Sequence, residues 1–418
     1  MFQVLSRSWA LLLGMMLLMV GNGLQGTLLG VRGGIEGFST FEMSIVMSAY
    51  FAGFLGGSRL APEMIRRVGH VRVFAALASF ISAILILYPA FAHPVAWALG
   101  RVVIGFCFSG VYVTAESWLN NSADNTNRGK ALSVYMIVQM FGLVIAQVLL
   151  AMGDVSGYAL FIVSSVLVSI SFAPILLSIS PTPAFETAKP MRLKTLIKIS
   201  PLGCFGMFLL GGVFSAQFGM SAVYGVAAGL TITQISFFVS SIYVGALLMQ
   251  YPIGWFSDRV DRRLVILIVA SLGGVMSLVA FSFDQYFSAL LAAAFIIGGT
   301  SNPLYSLLIA YTNDYLEADD MASASGGLIF INGMGAISGP LVTGKMMDTF
   351  GTQAFFMVIA TLMLTLTGYA GYRMTQRSRD GIEDGLYAPV MPSSSPVAVE
   401  VASEYYIETA MDEEENKT

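Results

Sequence analysis

The stretch GMMLLMVGNGLQG (residues 14–26) returns as GMFLLGGVFSAQF (residues 206–218), and the register between the two copies decides how the chain folds. Gly, Met, two Leu and Gln recur at matching places 192 positions on. The same offset lays Ser44 on Ser236, Ser48 on Ser240, Gly53 on Gly245, Leu55 on Leu247, Arg67 on Arg259 and Val68 on Val260. One register therefore holds over more than fifty residues, the mark of a unit used twice.

The unit is hydrophobic. The chain has 418 residues, 56% of them hydrophobic and 11% charged, with a mean hydropathy of +0.76. No water-soluble domain of this size tolerates that surface. Apolar runs of roughly 20 residues, at about 1.5 Å per helical residue, match a hydrocarbon core of about 30 Å. Twelve such spans are expected, at 8–30, 41–61, 73–92, 95–118, 131–153, 158–179, 201–226, 234–256, 264–282, 286–312, 321–346 and 353–373. Their continuity favours helices over the short alternating strands of a membrane barrel.

The basic, proline-punctuated SPTPAFETAKPMRLKTLIKIS divides the spans six and six. The expected fold is all-α and integral to the membrane: a six-helix bundle at 1–180, a linker at 181–200, a second six-helix bundle at 201–375 and a tail at 376–418. An even number of spans per bundle keeps both copies in one orientation, related by a pseudo-two-fold axis along the membrane normal.

Charge orients the chain. With a cytoplasmic N-terminus, 18 of the 21 Lys and Arg fall on the cytoplasmic side, against Arg32 and Lys345 outside and Arg101 within a span. That bias places both termini in the cytoplasm of a multi-pass cell-membrane protein, a bacterial inner membrane by preference. Residues 380–418 hold ten acids and one Lys, and without an apolar period this tail reads as disordered and solvated. Cys107 and Cys204 both fall inside apolar spans, which suits packing better than a disulfide or metal site.

Charge within a span is costly and usually faces a partner or a wet cavity. Arg101, Gly105, Ser109, Tyr112 and Glu116 recur at helical steps along the fourth span, forming one polar stripe. Arg101 suits an anionic substrate group; its alternative is to snorkel or bond to neighbouring carbonyls. Gln25 and Gln217 occupy equivalent places on the first and seventh spans, and Asn22 shares a face with Gln25. Amides both donate and accept, which suits hydroxyls or amides on a solute, although they also serve helix–helix bonding. Gln139, Gln147 and Asn332 are further candidates, with Tyr135, Tyr243 and Tyr305 behind them.

The loop GWFSDRVDRR (residues 254–263) has the G-x-x-x-D-R-x-x-R-R pattern, and on it the chain resembles the major facilitator superfamily over residues 1 to about 375. Its first-half copy is degraded, with Pro62 in the place of Gly254 and Arg66 in that of Asp258. RVVIG (residues 101–105), NRGKALS (127–133) and AESWLN (115–120) are similar to the same family, the last to a bacterial sugar- and drug-permease-like branch. The antiporter-type G-x-x-x-G-P stands on the eleventh span, as GAISGP (335–340), and not on the fifth.

The resemblance implies a conformational latch at the cytoplasmic helix ends. It would join Asp258 to the start of the fifth helix near Arg128, Arg67 or Arg72 to Glu116, and Arg262 or Arg263 to Asp314, with Arg259 beside them. Charges of this kind at exposed helix ends are worth roughly 0.3–1 kcal/mol each.

These features describe a secondary transporter of a small organic solute working by alternating access. The partners are that solute, the lipid bilayer and a coupling proton as an open possibility; no nucleic acid is implied. A transporter-like solute receptor is the alternative, and an integral-membrane enzyme the more distant one, since no convergent catalytic or metal-binding set stands out. No P-loop or dinucleotide fingerprint follows a strand, so neither ATP-driven transport nor a cofactor is expected.

Overall fold

A computed structural model describes residues 2–122, 128–177, 191–376, 387–395, 397–399 and 401–403, excluding the side chains of 2–7, 121–122, 128–129, 177, 318–319 and 322. The first half runs α1 (Phe2–Ile35), α2 (Thr40–Val68), α3 (His70–Ala90), α4 (Pro94–Ser122), α5 (Arg128–Met152), α6 (Ala159–Ser171) and α7 (Ala173–Leu177). The second runs α8 (Leu193–Ile199), α9 (Pro201–Ser215), a π-turn (Ala216–Met220), α10 (Ser221–Ala227), α11 (Ile232–Ser257), α12 (Arg262–Ser282), α13 (Phe287–Asn313), α14 (Ala318–Phe350) and α15 (Ala354–Gln376). Among the described residues there is no strand. Helices satisfy their own backbone groups, as a water-free layer requires.

Among the described residues, eleven segments are long and apolar enough to cross a membrane, with α6–α7 counting as one and α9–α10 as another. The expected span at 41–61 forms α2, a helix of 29 residues that is not among the eleven. Glu42, Arg59, Glu63, Arg66 and Arg67 lower its hydropathy, as does a row of Ser and Gly. That row is its packing face.

In lipid, apolar burial does not draw helices together, so association depends on small residues that let backbones approach. A methyl group at Gly53 of α2 would stand 1.9 Å from the Val102 carbonyl of α4, and one at Gly105 equally close to the Tyr50 carbonyl. The second half repeats both contacts: Gly245 of α11 meets Phe295 of α13 at 1.9 Å, and Gly298 meets Ile242 at 2.2 Å. Likewise Gly142 of α5 lies on Met16 of α1, as Gly335 of α14 lies on Phe208 of α9. Gly53 and Gly245 keep the 192-residue offset, whereas Gly105 and Gly298 are 193 apart, so one residue is added between α11 and α13.

The helix starts repeat too. Gly37 and Gly229 take left-handed φ values of 77° and 73°. Two residues later, Ser39 with Glu42 and Thr231 with Gln234 form the capping boxes of α2 and α11, each satisfying otherwise orphaned backbone donors.

The halves meet where α2 packs on α14 and α5 on α11; Ser48 Oγ donates to the Ile337 carbonyl at 2.6 Å. Large apolar side chains such as Phe80, Phe141, Ile162, Phe237 and Leu272 stand exposed on the outside, where lipid would meet them. At the end where α1 finishes, Gly30 abuts Ala222, Gly34 abuts Val226 and Gly344 abuts Ser44. Those contacts bring the two halves together at that end. The opposite end, called the basic end below, carries Arg66, Arg67, Arg259, Arg262 and Arg263.

Candidate functional site

A cavity of about 100 Å³ lies between the halves. Its polar wall belongs to α1 and α4, with Asn22, Gln25, Arg101 and Tyr112 facing it. Arg101 Nη1 donates to Gln25 Oε1 at 3.1 Å, Gln25 Nε2 to Asn22 Oδ1 at 3.1 Å, and Asn22 Nδ2 reaches the Tyr112 hydroxyl at 3.5 Å. The i, i+3 spacing of Asn22 and Gln25 and the repeating stripe of α4 produce this chain of donors and acceptors.

Arg101 is 4% exposed. Among the described residues its Nη2 meets Met47 Sδ, at 3.3 Å, and its Nε has no partner, while its Cζ lies 4.7 Å from the centre of the Tyr50 ring. Among the described residues no carboxylate pairs with it. Desolvating a guanidinium is expensive unless an anion and hydrogen bonds compensate. The ring face offsets part of that through cation–π attraction, so the site is one an anionic group would complete.

The facing wall is aromatic. Phe51 and Phe214 stand 6.2 Å apart, Phe214 and Phe218 4.3 Å, and Phe218 and Tyr243 5.2 Å. Asn332 of α14 also lines the cavity, while its Nδ2 donates to the Met207 carbonyl at 3.0 Å.

Gln217 and Gln139 are not on the cavity wall. Where α1 stays regular, its counterpart opens into the π-turn that holds Gln217, whose Oε1 accepts from Ser301 Oγ of α13 at 2.9 Å. Gln139 is buried on α5, and Gln147 Nε2 reaches the Gly23 carbonyl at 3.5 Å. Tyr50, Phe51, Phe54, Phe214 and Phe218 line the cavity without having been singled out in the sequence. The steps from Tyr50 to Phe54 and from Phe214 to Phe218, each one helical turn, were the available signal.

The latch residues divide. Arg262 Nη1 pairs with Asp314 Oδ1 at 2.5 Å, the two side chains being 1% and 3% exposed. Arg263 takes Asp261, the α12 N-cap, at 2.8 Å, and Arg259 lies over the Trp255 ring at 4.1 Å. In the first half, Arg66 and Arg67 both bond to Glu63 on their own helix, at 2.8 and 2.6 Å. The expected reach from Arg67 to Glu116 is thus replaced by a pairing one turn away, which needs no helix to move. Arg72 lies on the first turn of α3, and the Arg128 side chain lies outside the described residues. Glu116 is buried and accepts from the Tyr135 hydroxyl at 3.4 Å and from the backbone N–H of Ser395 at 2.8 Å.

That last partner belongs to the tail. Asp258 Oδ1 likewise accepts from the backbone N–H of Tyr387 at 2.7 Å. The expectation of a solvated tail fails over its described residues, because Val390, Met391, Ser395, Ala398 and Val399 are buried. The acidic composition hid a neutral run, YAPVMPSSSPVAV (387–399), within it.

A family model described as Major Facilitator Superfamily matches residues 11–231 and 203–385. The chain is 28% identical, over 375 residues, to the Uncharacterized MFS-type transporter YcaD of Escherichia coli strains UTI89 and SMS-3-5, covering 87% of this chain and 95% of the relative. Among solved structures, the nucleoside transporter NupG aligns with a TM-score of 0.72 at 15% identity, over 89% of this chain and all of that one. A bacterial homolog of the human lysosomal transporter Spinster, inward-facing and unoccupied, gives 0.69 at 13% identity over 97% and 98% of the two chains. The E. coli fucose:proton symporter FucP gives 0.58 at 16% identity over 87% and 98%.

Proposed function

The chain belongs to the major facilitator superfamily, and from that premise we propose that it carries a small organic anion across the membrane by alternating access. The observation behind this is Arg101, buried in the cavity with an unpaired Nε and no carboxylate beside it among the described residues. A carboxylate is the planar acceptor that a guanidinium fork fits best. Asn22, Gln25 and Tyr112 would bind hydroxyl or amide groups on the same solute, Tyr50 would hold the guanidinium in place, and the aromatic wall would cover the solute's apolar side. Asn332 contributes an edge of that wall; Gln139 and Gln217 act in packing.

In this proposal α2 is the twelfth span, both termini are cytoplasmic, the basic end faces the cytoplasm, and the membrane is a bacterial inner membrane. The bundles are 1–180 and 201–375, joined by the linker at 181–200. They rock about the cavity, and the Arg262–Asp314 pair braces the cytoplasmic end of the second bundle. Glu116, buried next to three tyrosines, is the candidate carboxylate for a coupling proton.

Purified protein is tested by thermal shift against carboxylates, their neutral amides, sugars and nucleosides, since a ligand that binds the folded state raises its stability by mass action. Hits are then tested by counterflow in proteoliposomes. A carboxylate should stabilise the protein where its amide does not, and Arg101→Ala should abolish that response while Arg192→Ala keeps it. Equal responses from the two variants would remove Arg101 from the site. A hit that binds without counterflow would make the protein a receptor.

A further inference from the structure

The residues of the tail do not lie at random on the basic end. The Ser306 hydroxyl of α13 accepts from the backbone N–H of Val390 at 2.9 Å and donates to its carbonyl at 3.0 Å. Gln250 Nε2 of α11 donates to the Tyr387 hydroxyl at 2.6 Å. Asn313 Nδ2 donates to Ser403 Oγ at 3.0 Å, and Gly254 leaves the room that the Tyr387 ring fills. With Asp258 and Glu116, five side chains grip this one segment. Four of them, Glu116, Gln250, Ser306 and Asn313, are buried polar groups, for which an unbonded state is costly.

Two further facts locate the segment. Met391, Pro392 and Ser393 line the same cavity as Arg101. At the opposite end the halves are in contact at Gly30–Ala222, Gly34–Val226 and Gly344–Ser44, while the tail segment borders the cavity from the basic end. The volume left beside it, about 100 Å³, is below the roughly 300–1,000 Å³ of ordinary ligand pockets.

The geometry points to a peptide-binding site at the basic end, whose occupant is the chain's own 387–403 segment, and to that segment acting as an internal plug. Seated, it bars the cavity and ties Glu116 of the first half to Gln250, Asp258, Ser306 and Asn313 of the second, so the halves cannot separate there. Release of the segment is then the activating step. The site recognises an uncharged, irregular stretch at 387–395 followed by helical residues at 397–399 and 401–403. All the acids of the tail stand outside the neutral run at 387–399, and Glu400 is the one acid within 387–403.

The consequence for transport rests on the proposed solute route, but docking of the tail is measurable without it. In the full-length chain, Asn313→Cys with Ser403→Cys places two thiols where the present side chains touch. A short bifunctional thiol reagent should join them, while Ser39→Cys with Ser403→Cys, at opposite ends of the molecule, should stay unjoined. Failure of the first pair to join in monodisperse protein overturns the site.

Blocking is read at Gly26→Cys, a cavity position where a side chain meets nothing within 4 Å. Ser395→Asp sets a carboxylate against Glu116 and should expel the segment, raising the rate of maleimide labelling at position 26 at least tenfold. Ser306→Ala, which removes both bonds to Val390, should raise it in the same direction and serves if the first variant does not fold. Unchanged labelling in a folded variant overturns the plug. Absence of counterflow alongside successful joining and faster labelling would defeat the transport proposal and leave the docked tail standing.

Discussion

The two halves of this protein bring their backbones together at the same places and then put different chemistry on them. Gly53 on Val102 and Gly245 on Phe295 are one contact made twice. Yet across the same registers Arg101 corresponds to Ala294, Asn22 to Phe214 and Glu116 to Ile309. Tyr112 with Tyr305, Phe51 with Tyr243 and Gln25 with Gln217 keep their kind, and the second Gln is turned away to Ser301. Close backbone packing tolerates little but glycine, so the scaffold has stayed alike where helices touch. The cavity walls face no such constraint: the Arg and its amide partners stand on the first half, while both halves supply aromatic rings.

The loops differ in the opposite sense. The first half has the exposed trio Glu63, Arg66 and Arg67, and the second has the buried Arg262–Asp314 pair. The largest expected effect of any substitution follows. Removing one partner of a buried pair leaves the other charge uncompensated, at a cost of about 3–5 kcal/mol, so Asp314→Ala should lower the thermal midpoint strongly. Arg262→Met on top of it should restore most of the loss, because removing both charges is often close to neutral. A double variant no better than the single one would mean the pair has a role beyond mutual compensation.

The shared contacts give the next effect. Gly53→Ala and Gly245→Ala each drive a methyl into a carbonyl of the neighbouring helix, and overpacking of this kind costs roughly 1–3 kcal/mol, occasionally more. The two should destabilise alike. If one is tolerated, the structural equivalence of the halves breaks down at its best-defined point.

Arg101 and Ala294 give a smaller and mixed effect. Arg101→Met removes a buried charge that lacks an anionic partner among the described residues, and with it the cost of keeping that charge out of water. Apart from any solute, the variant should be at least as thermostable as the parent, yet its affinity for a carboxylate ligand should fall at least tenfold, a loss of about 1.4 kcal/mol or more. A drop in stability without loss of binding would make Arg101 a structural residue.

Much of this was legible in the sequence, and the limits have physical reasons. Apolar runs and the 192-residue register are local or periodic signals, and they are why the helices and their repeat could be read. Arg101, Gln25, Asn22 and Tyr112 were readable because charge and amides are rare at membrane depth. Tyr50 and the phenylalanines were not, since an aromatic residue has the same appearance in a sequence whether it faces lipid, core or cavity. Gln217 was misplaced because the π-turn that redirects it has no marker comparable to proline. The tail was missed because average composition hides a neutral run of thirteen residues between acidic flanks, and its partners Glu116, Gln250, Asp258 and Ser306 lie far away in sequence.

Glu63 should show the smallest effect, and its smallness has content. Its carboxylate bonds to Arg66 and Arg67 at 2.6–2.8 Å, closer than many consequential pairs, but the two arginine side chains are 69% and 73% exposed. Water screens such pairs, and holding three mobile side chains in one geometry offsets what attraction remains. Glu63→Gln should therefore leave the thermal midpoint within experimental scatter at both low and high salt, while Asp314→Ala moves it at either. If Glu63→Gln proved as damaging as Asp314→Ala, short distance and not burial would govern the ion pairs of this protein, and the degraded first-half loop would have to be restored as a working part of the latch.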